Sequence, residues 1–600
     1  MENSQLNLNA PRWDMTSIYT GFKNQDYLDA LKQLDIYIGQ LRAVCQKAQL
    51  GEMSQDDFCP WLVETIIALN NTLSLYQSLS CYCYCVYSTN TTDAQALNAL
   101  SAIEAKYLEF NQYIITYRDA LVHYENFLPE FFKLYPQYSD YAYIFSQDII
   151  QKKHEMNQEM ETLVSDMQRF SSDSWSKLQE QLISTMTDSE TGKTFNELRN
   201  DAYSSDKELR KTSYQKELAL LKQNQIAFAA CLNNIKGETT MLNKRRQWTS
   251  PLERARFISR LSEKTLDALI GAIEDSLPFW RDYLKTKAKI LNQEKLSFYD
   301  LFAPLPQSDS QTPEKIWTFD EAKNYIIEKF SAFSEDLGNF AKKAFDENYI
   351  DAEVRKGKVG GGYDEDFHYN KTSRILTNFT GTFSDVMTLA HELGHAYHHS
   401  CAMNQDFALV SYPMTLAETA SIFSENIVMK DAIENSSGFK RASLIETHLS
   451  DSCQVLVDIL CRFYFEKSVF EEREKGELGA EDFCRLMLTA QDRTYGDALD
   501  ENRHPYIWAV KCHYYSSSID FYNYPYAFGL LFGLGLLESW KNEGSAFSEK
   551  YKEILSLTGK LSCEEVCKKA GFDIESKEFW KKGIDSFKSE LEELKKFASL

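Results

Sequence analysis

The sequence predicts a mainly α-helical protein built from more than one lobe. A chain of 600 residues is too long for one small hydrophobic core, so two or more lobes are expected. Only 24 glycines and 12 prolines interrupt it, and apolar residues recur at helical spacing over long stretches. Hydrophobic residues make up 43% and charged residues 26% of the chain, which is the ordinary balance of a globular protein.

Helical patterns run through most of the chain. Residues 27–154 are predicted to form successive amphipathic helices, with Leu31, Leu34, Ile38 and Leu41 on one face of the first. The pattern continues over residues 155–300 and 319–345, and returns over 415–434, 441–474 and 576–600. We predict one helical lobe over residues 1–190 and a second domain over residues 191–600.

Residues 357–383 break the helical pattern. Gly360, Gly361 and Gly362 come first, and residues 374–379 are the best strand candidate in the chain. A helix is predicted to begin just after them, near Thr382 or Ser384.

Composition excludes several classes of protein. The formal net charge of −23 argues against nucleic-acid binding, which needs a basic face. The sequence contains no run of about 18 apolar residues, so no membrane span is predicted. The polar start lacks the apolar core of a signal peptide. The 13 cysteines, an odd number, are therefore expected to be reduced thiols of a cytoplasmic protein. Cys81, Cys83 and Cys85 lack a second ligand pair, so packed thiols are favoured over a metal site.

The most informative motif is the sequence HELGH at residues 391–395. On a helix, His391 and His395 lie one turn apart on the same face and can reach one zinc ion. Glu392 lies beside the first ligand, where its carboxylate can take a proton from a metal-bound water molecule. Apolar residues precede the motif, and histidines on a buried helix would be costly without partners. The pattern predicts a single zinc ion as cofactor.

A catalytic zinc ion needs a third protein ligand and an open position for water. His398 lies on roughly the same face as His391, but one straight helix cannot easily surround a tetrahedral ion with three side chains. Glu418 lies on the next predicted helix, which could pack alongside. The run from Thr415 to Glu418 also fits a capping box, so spacing alone leaves both roles of Glu418 open. Glu425 could orient a ligand histidine, although spacing alone favours an ordinary exposed glutamate.

Around these residues the chain resembles the oligoendopeptidase F branch of the thimet oligopeptidase family. The resemblance is close in NFTGTFSDVMTLAHELGHAYHH at residues 378–399 and AETASIFSE at 417–425. The runs RWDMTSIY at 12–19 and FYNYPYAFG at 521–529 also look like that branch, so the similarity extends along nearly the whole chain. The glycine loop departs from the pattern, because the acidic run YDED at 363–366 follows it where relatives often carry a more basic loop.

The resemblance implies a site and a fold. Glu418 becomes the third zinc ligand, and Glu425 the carboxylate that orients a ligand histidine. Two helical lobes should flank a deep channel with zinc at its floor, and a small β-sheet beside the HELGH helix should offer an edge strand to the peptide. The expected substrate-binding edge consists of Arg374, Ile375, Leu376, Thr377 and Asn378.

The resemblance also gives a role to an aromatic cluster near the C-terminal end. His513, Tyr522 and Tyr526 lie within fourteen residues of one another, and the protein contains 34 tyrosines, so an aromatic core segment is the commoner explanation. Relatives place a histidine and tyrosines here at the substrate, which implies that His513, Tyr526 and Tyr522 stabilise the oxyanion.

The expected function is that of a zinc endopeptidase that hydrolyses internal bonds of short unfolded peptides, with residues 191–600 as its catalytic domain. Short peptides are the only expected partners; nucleic acid, membranes and an obligatory protein partner are not. Three other functions remain to be weighed: removal of single C-terminal residues, peptide binding without catalysis, and a structural zinc site. The first needs a basic group for the free carboxylate, and no obvious one is present in the sequence.

Overall fold

The computed structural model describes residues 8–49, 52–306, 315–516 and 518–599. Within these ranges it contains twenty-five α-helices and one three-stranded sheet. The prediction of a mainly helical protein with a small sheet is confirmed.

The first helices of the chain pack around the first of two hydrophobic cores. They are α1 (Gln25–Gln49), α2 (Gln55–Thr89), α3 (Ala94–His123), α4 (Leu128–Leu134) and α5 (Ala142–Lys153). Two further helices follow, α6 (Gln158–Gln168) and α7 (Ser172–Thr185), and α7 packs against the second core. The first core contains buried residues from Ile18 to Ile149, together with Phe367 and Leu409. Long amphipathic helices with few breakers form it, as the 3.6-residue spacing predicts.

The remaining helices surround a larger second core, with buried residues from Met186 to Leu594. They are α8 (Phe195–Asn200), α9 (Lys207–Gln223), α10 (Gln225–Arg245), α11 (Pro251–Ile258), α12 (Glu263–Ile290), α13 (Phe319–Phe333), α14 (Glu335–Asp346), α15 (Phe383–Ala402), α16 (Met414–Glu434), α17 (Gly438–Cys453), α18 (Ile459–Arg473), α19 (Ala480–Thr494), α20 (Ile507–Val510), α21 (Tyr524–Glu543), α22 (Ala546–Leu557), α23 (Cys563–Lys569), α24 (Lys577–Asp585) and α25 (Lys588–Phe597). A π-helical turn, Gln454–Asp458, joins α17 to α18. Two cores make two helical lobes that flank a channel; the boundary at residue 190 stays a prediction.

The sheet lies where the two lobes meet. Its strands are β1 (Ile350–Asp351), β2 (Tyr363–Phe367) and β3 (Thr372–Leu376), in the order β1-β3-β2. Strand β3 pairs in parallel with β1 and antiparallel with β2. Helix α2 of the first lobe contacts β2, and α15 of the second lobe contacts both β2 and β3. The sheet therefore lies beside the HELGH helix, with the first lobe against its other side.

The expected peptide-binding edge is wrong, because β3 is the middle strand and both its edges are already paired. Arg374 is fully buried and donates hydrogen bonds to the Asp14 carbonyl oxygen at 2.8 and 3.0 Å. The residues concerned are Arg374, Ile375, Leu376, Thr377 and Asn378, of which all but Asn378 are buried. Asn378 instead donates hydrogen bonds to the carbonyl oxygens of Val359 and Gly361, at 3.0 Å each, and so holds the glycine loop in place.

The cysteine run in α2 is packed as predicted. Cys81, Cys83 and Cys85 are buried free thiols, and burial raises the pKa of each. Across the described ranges, no helix is both long and apolar enough to cross a lipid bilayer.

Candidate metal centre

Helix α15 places both motif histidines on one face. Its N-terminus is fixed by a capping box, in which Thr382 Oγ1 accepts from the Asp385 amide at 3.2 Å and Asp385 Oδ2 accepts from the Thr382 amide at 3.0 Å. The face opposite the histidines carries fully buried Leu389 and Leu393. With its start capped and one face in the core, the helix holds the histidines in a fixed direction.

Gly394 lets α16 approach α15 very closely. A Cβ atom at this position would lie 2.6 Å from the Ala420 carbonyl oxygen and 2.6 Å from Ser421 Cα. These are backbone atoms, so no side-chain movement could make room. The glycine inside the HELGH motif therefore permits the helix crossing that brings Glu418 beside the histidines.

We expect Gly394→Ala to separate α16 from α15 and to weaken metal binding. Overpacking at a fixed backbone contact typically costs about 1–3 kcal/mol of unfolding free energy. The measurements are chemical denaturation and titration of the metal-free protein with zinc. Gly533→Ala is the matched control, because its Cβ would meet the atoms of α16 only at ordinary contact distances of 3.6 Å or more. Equal zinc affinity in both variants would contradict the assigned role of Gly394.

Three donor atoms converge on one point. His391 Nε2 lies 3.2 Å from His395 Nε2, and Glu418 Oε2 lies 3.4 Å from the first and 3.7 Å from the second. Within the described ranges this group could hold a metal ion, since its donor atoms all lie within 4.8 Å of one another. Two imidazole nitrogens and one carboxylate oxygen form a ligand set found in catalytic zinc sites. The residues present therefore fit a zinc ion.

The surrounding groups shift the pKa values of the two motif histidines in opposite directions. Glu425 Oε1 lies 3.3 Å from His391 Nδ1, so Nε2 of that ring is directed toward the other two donors. Burial lowers the pKa of His391, but the carboxylates of Glu425 and Glu418 outweigh it and raise that pKa well above its usual range. Burial and the charge of His391 lower the pKa of His395 to about 3, which keeps this imidazole neutral as a ligand must be.

The structure gives other contacts to Thr415 and His398, the two residues on which the competing interpretations of the third ligand depend. Helix α16 begins at Met414 after Pro413, and the Thr415 hydroxyl donates to the Ser259 carbonyl oxygen at 2.7 Å, so the capping-box explanation of Glu418 is wrong. His398 is fully buried on another face of α15, with its Nε2 2.8 Å from Thr558 Oγ1. It is absent from the group of donor atoms around His391.

Glu392 lies beside the histidines under the glycine loop. Its side chain is buried, and burial raises its pKa to about 8, with the charge of His391 opposing and that of Asp364 adding to the shift. A Cβ atom on Gly362 would lie 3.1 Å from Glu392 Oε1, 3.1 Å from Thr388 Cγ2 and 3.3 Å from the Leu376 carbonyl oxygen. The absence of a side chain at residue 362 therefore leaves room for the carboxylate.

We expect Gly362→Ala to displace the Glu392 carboxylate and to lower kcat by about 10- to 100-fold, because small misplacements of a reacting group are costly. Gly360→Ala is the matched control, since nothing lies within 4 Å of a Cβ atom there. Steady-state kinetics on one peptide would test both variants. A full rate in the Gly362 variant would show that the carboxylate tolerates the extra methyl group.

Strand β2 offers the backbone edge that β3 does not. Ile375 donates its N–H to the Tyr349 carbonyl oxygen, on the side of β1. Its partner across the antiparallel pair is Asp364, whose backbone groups must therefore point away from β3. The direction of the backbone groups repeats every two residues along a strand, so the N–H and C=O groups of Gly362 also point away from β3. This outward edge ends at the loop that covers Glu392.

The aromatic cluster comes together around α21. The His513 ring stacks on Tyr522 with centroids 5.0 Å apart, and Tyr526 lies edge-on to Tyr522 at 5.6 Å. A Cβ atom on Gly529 would lie 2.8 Å from Glu418 Cβ, so α21 packs tightly on α16 one turn after Tyr526. Burial raises the pKa of Tyr526, and the charge of Glu418 adds to the effect. The cluster thus lies next to the third member of the donor group.

The sequence interpretation missed a second polar group behind the site. His399 Nδ1 lies 2.8 Å from Asp364 Oδ2, and the Tyr412 hydroxyl is hydrogen-bonded to Nε2 of the same ring. Burial lowers the pKa of His399, but the charges of Asp366 and Asp364 outweigh it and raise the pKa to about 9. The sequence signal for this group was the acidic run after the glycine loop. That run contains Asp364, the partner of His399.

Comparisons with known proteins show the family of this chain. The model of peptidase family M3 matches residues 201–586. The chromosomal oligoendopeptidase F of Lactococcus lactis subsp. cremoris is 28% identical over 397 residues, which cover 66% of this chain and 64% of that protein. An oligoendopeptidase F homolog of Lactococcus lactis subsp. lactis (strain IL1403) is 24% identical over 605 residues, covering 97% of this chain and 96% of the relative.

The fold is also similar to a solved structure. The crystal structure of oligoendopeptidase-F from Enterococcus faecium matches with a TM-score of 0.68 and 17% identity, over 95% of this chain and 99% of that chain. The family model covers well over half of the 600 residues, including the HELGH helix, α16 and α21. The chain therefore belongs to peptidase family M3, in its oligoendopeptidase F branch.

Proposed function

We propose that this protein is a zinc-dependent endopeptidase that hydrolyses internal bonds of short unfolded peptides. The observation that carries the proposal is the convergence of His391, His395 and Glu418 on one point beside the buried carboxylate of Glu392. Three protein ligands leave a position open for water and substrate, whereas a structural zinc site closes with a fourth side chain.

In the proposed reaction, each residue of the site has a separate role. A zinc ion bound here supplies Lewis acidity that polarises the scissile carbonyl group and acidifies a water molecule. Glu392 accepts the proton of that water molecule as it attacks, and then passes the proton to the leaving amine. Tyr526 and His513 donate hydrogen bonds to the developing oxyanion, with Tyr522 stacked against His513.

The backbone holds the peptide in register with these groups. The outward edge of β2 at Gly362 and Asp364 can pair with an extended peptide, adding a strand to the sheet. Such pairing depends little on the peptide's sequence, so we expect loose specificity that is set by side-chain pockets. The two helical lobes around the site favour a flexible segment over a folded domain.

A binding protein without catalytic activity fits less well. Such a protein has no need of a carboxylate beside its metal ligands, and burying Glu392 costs free energy that binding alone would not require. The chemistry of the site therefore favours hydrolysis.

The test is mass-spectrometric mapping of cleavage sites in a library of unfolded peptides, with and without a chelator. Internal cleavage that is lost with the chelator and restored by zinc is the expected result. The same target sequence embedded in a stable folded protein should remain intact. Release of single C-terminal residues only, or efficient cleavage within the folded host, would contradict the proposal.

A further inference from the structure

A partly open cavity of about 220 Å³ lies in the larger lobe. Its walls come from α8, α9, the end of α12, α17 and the residues that surround His504. Among the described residues that line it are none of the three proposed metal ligands and not Glu392. Its volume is below the roughly 300–1,000 Å³ of sites for drug-sized ligands, so it suits a group of the size of one amino acid.

One positive charge in this cavity has no direct ion pair, although the carboxylate of Asp458 lines the same cavity and is paired with Arg462. Arg199 forms an ion pair with Glu217, and Arg210 Nη2 lies 2.8 Å from Asp300 Oδ1. Lys511 also lines the cavity, yet no described residue forms a hydrogen bond or an ion pair within 4.0 Å with its ammonium group. Burial and the charge of Arg462 lower the pKa of Lys511 to about 8, and the charge of Asp458 only partly opposes this shift.

A second polar atom is equally unsatisfied. His504 is 1% exposed and lines the cavity; its Nε2 lies 3.0 Å from Glu217 Oε1, but its Nδ1 has no hydrogen-bond partner. Buried polar groups nearly always have a partner, so this arrangement calls for a ligand with hydrogen-bonding atoms. The rest of the wall is largely aromatic and includes Phe298, Tyr299 and Phe302. An anionic group attached to an apolar body matches both features.

The wall of the cavity and the proposed active site are neighbours along the chain. His513 follows Lys511 by two residues, and burial together with the charges of Arg462 and Lys511 lowers the pKa of His513 to about 4. Ser450, which also lines the cavity, precedes the exposed residue Asp451. Desolvation by the surrounding walls and the charge of Glu425 raise the pKa of the Asp451 carboxyl to about 6. Lys511 in the cavity wall and His513 at the proposed site therefore belong to one short segment of the chain.

We propose that this cavity binds the C-terminal residue of a peptide substrate, with Lys511 holding its carboxylate and the aromatic wall holding an apolar side chain. This proposal rests on the proposed peptidase function. It supplies the basic group that was not obvious in the sequence, and it makes the free C-terminus a recognition element in the cleavage of internal bonds.

The first test measures binding alone, so it does not depend on catalysis. N-Acetylphenylalanine and its amide are titrated into the full-length protein by calorimetry. We expect the acid to bind about 10- to 100-fold more tightly, because charge-assisted hydrogen bonds are among the stronger polar contacts. Lys511→Met should remove the difference. Lys430→Met should keep it, since Lys430 is another enclosed lysine with a pKa lowered by burial to about 8 but does not line the cavity. Equal binding of acid and amide by the unmodified protein would overturn the proposal.

The second test identifies the source of the carboxylate. One internally quenched peptide is compared as free acid and as C-terminal amide. We expect a lower KM for the acid, a difference that Lys511→Met abolishes and Lys430→Met keeps. N-Acetylphenylalanine should compete with the free-acid peptide. Non-competitive inhibition would assign the cavity to a separate small carboxylate and overturn the proposal. Absence of all cleavage by the zinc-loaded protein would count against the peptidase function instead, while the binding test still decides on the cavity.

Discussion

Replacing Glu392 with glutamine is expected to lower kcat by at least roughly 10²–10⁴-fold, which is the usual contribution of general-base catalysis. The amide keeps the size of the carboxylate, so it fits under Gly362, but it cannot accept the proton of the attacking water molecule. Metal content should remain near one zinc ion per chain, because Glu392 is not among the three converging donors. Steady-state kinetics and metal analysis of the purified variant are the measurements.

The matched control for this variant is Glu538→Gln, an exposed glutamate on α21 that should leave activity unchanged. Circular dichroism would show that both variants are folded. Glu392→Gln with full zinc content and more than about a tenth of the normal kcat would remove Glu392 from the role of general base.

Replacing Glu418 with alanine is expected to abolish tight zinc binding and activity together. It removes one of three ligands from the ion, so the loss of affinity should exceed the roughly 10- to 100-fold effect typical of residues that only orient a ligand. Glu425→Gln provides that comparison, because Glu425 touches His391 Nδ1 and does not belong to the donor group. The zinc affinities of the unmodified protein, Glu418→Ala and Glu425→Gln are measured by titration with a competing chelator.

His398→Asn tests the alternative third ligand. Its side chain is fully buried against Thr558, so the change should lower the free energy of unfolding while zinc binding is kept. Retention of zinc by the Glu418 variant together with loss of zinc from a folded His398 variant would favour a site made of three histidines.

The sequence alone was sufficient for the secondary structure around the motif. The helix predicted to begin near Thr382 or Ser384 starts at Phe383, and the strand predicted at residues 374–379 spans Thr372–Leu376. Both are local properties, since capping residues and apolar periodicity act over a few residues of chain. The pairing of His391 with His395 follows in the same way, because four residues on a helix make one turn.

Contacts between distant segments could not be obtained from spacing. From spacing alone, Glu418 could be either a helix-capping residue or a metal ligand. Only the crossing of α16 over Gly394 brings its carboxylate to the histidines. The sequence predicted strand β3. Its place in the middle of the sheet depends on β1 and β2, whose sequences only weakly indicate a strand. Lys511 was one of many lysines in the sequence, and only the packing of distant segments places it in the wall of a cavity without a direct ion pair.

The sequence by itself therefore determined which groups can do the chemistry, because the HELGH motif lies on one helix whose geometry is known in advance. The tertiary structure decided which groups meet: the third member of the donor group, the backbone edge at Gly362 and the place of Lys511 in a cavity wall. The physical reason is that burial and pairing depend on every segment that packs against a residue. A helical pattern specifies only which face of its own helix turns inward.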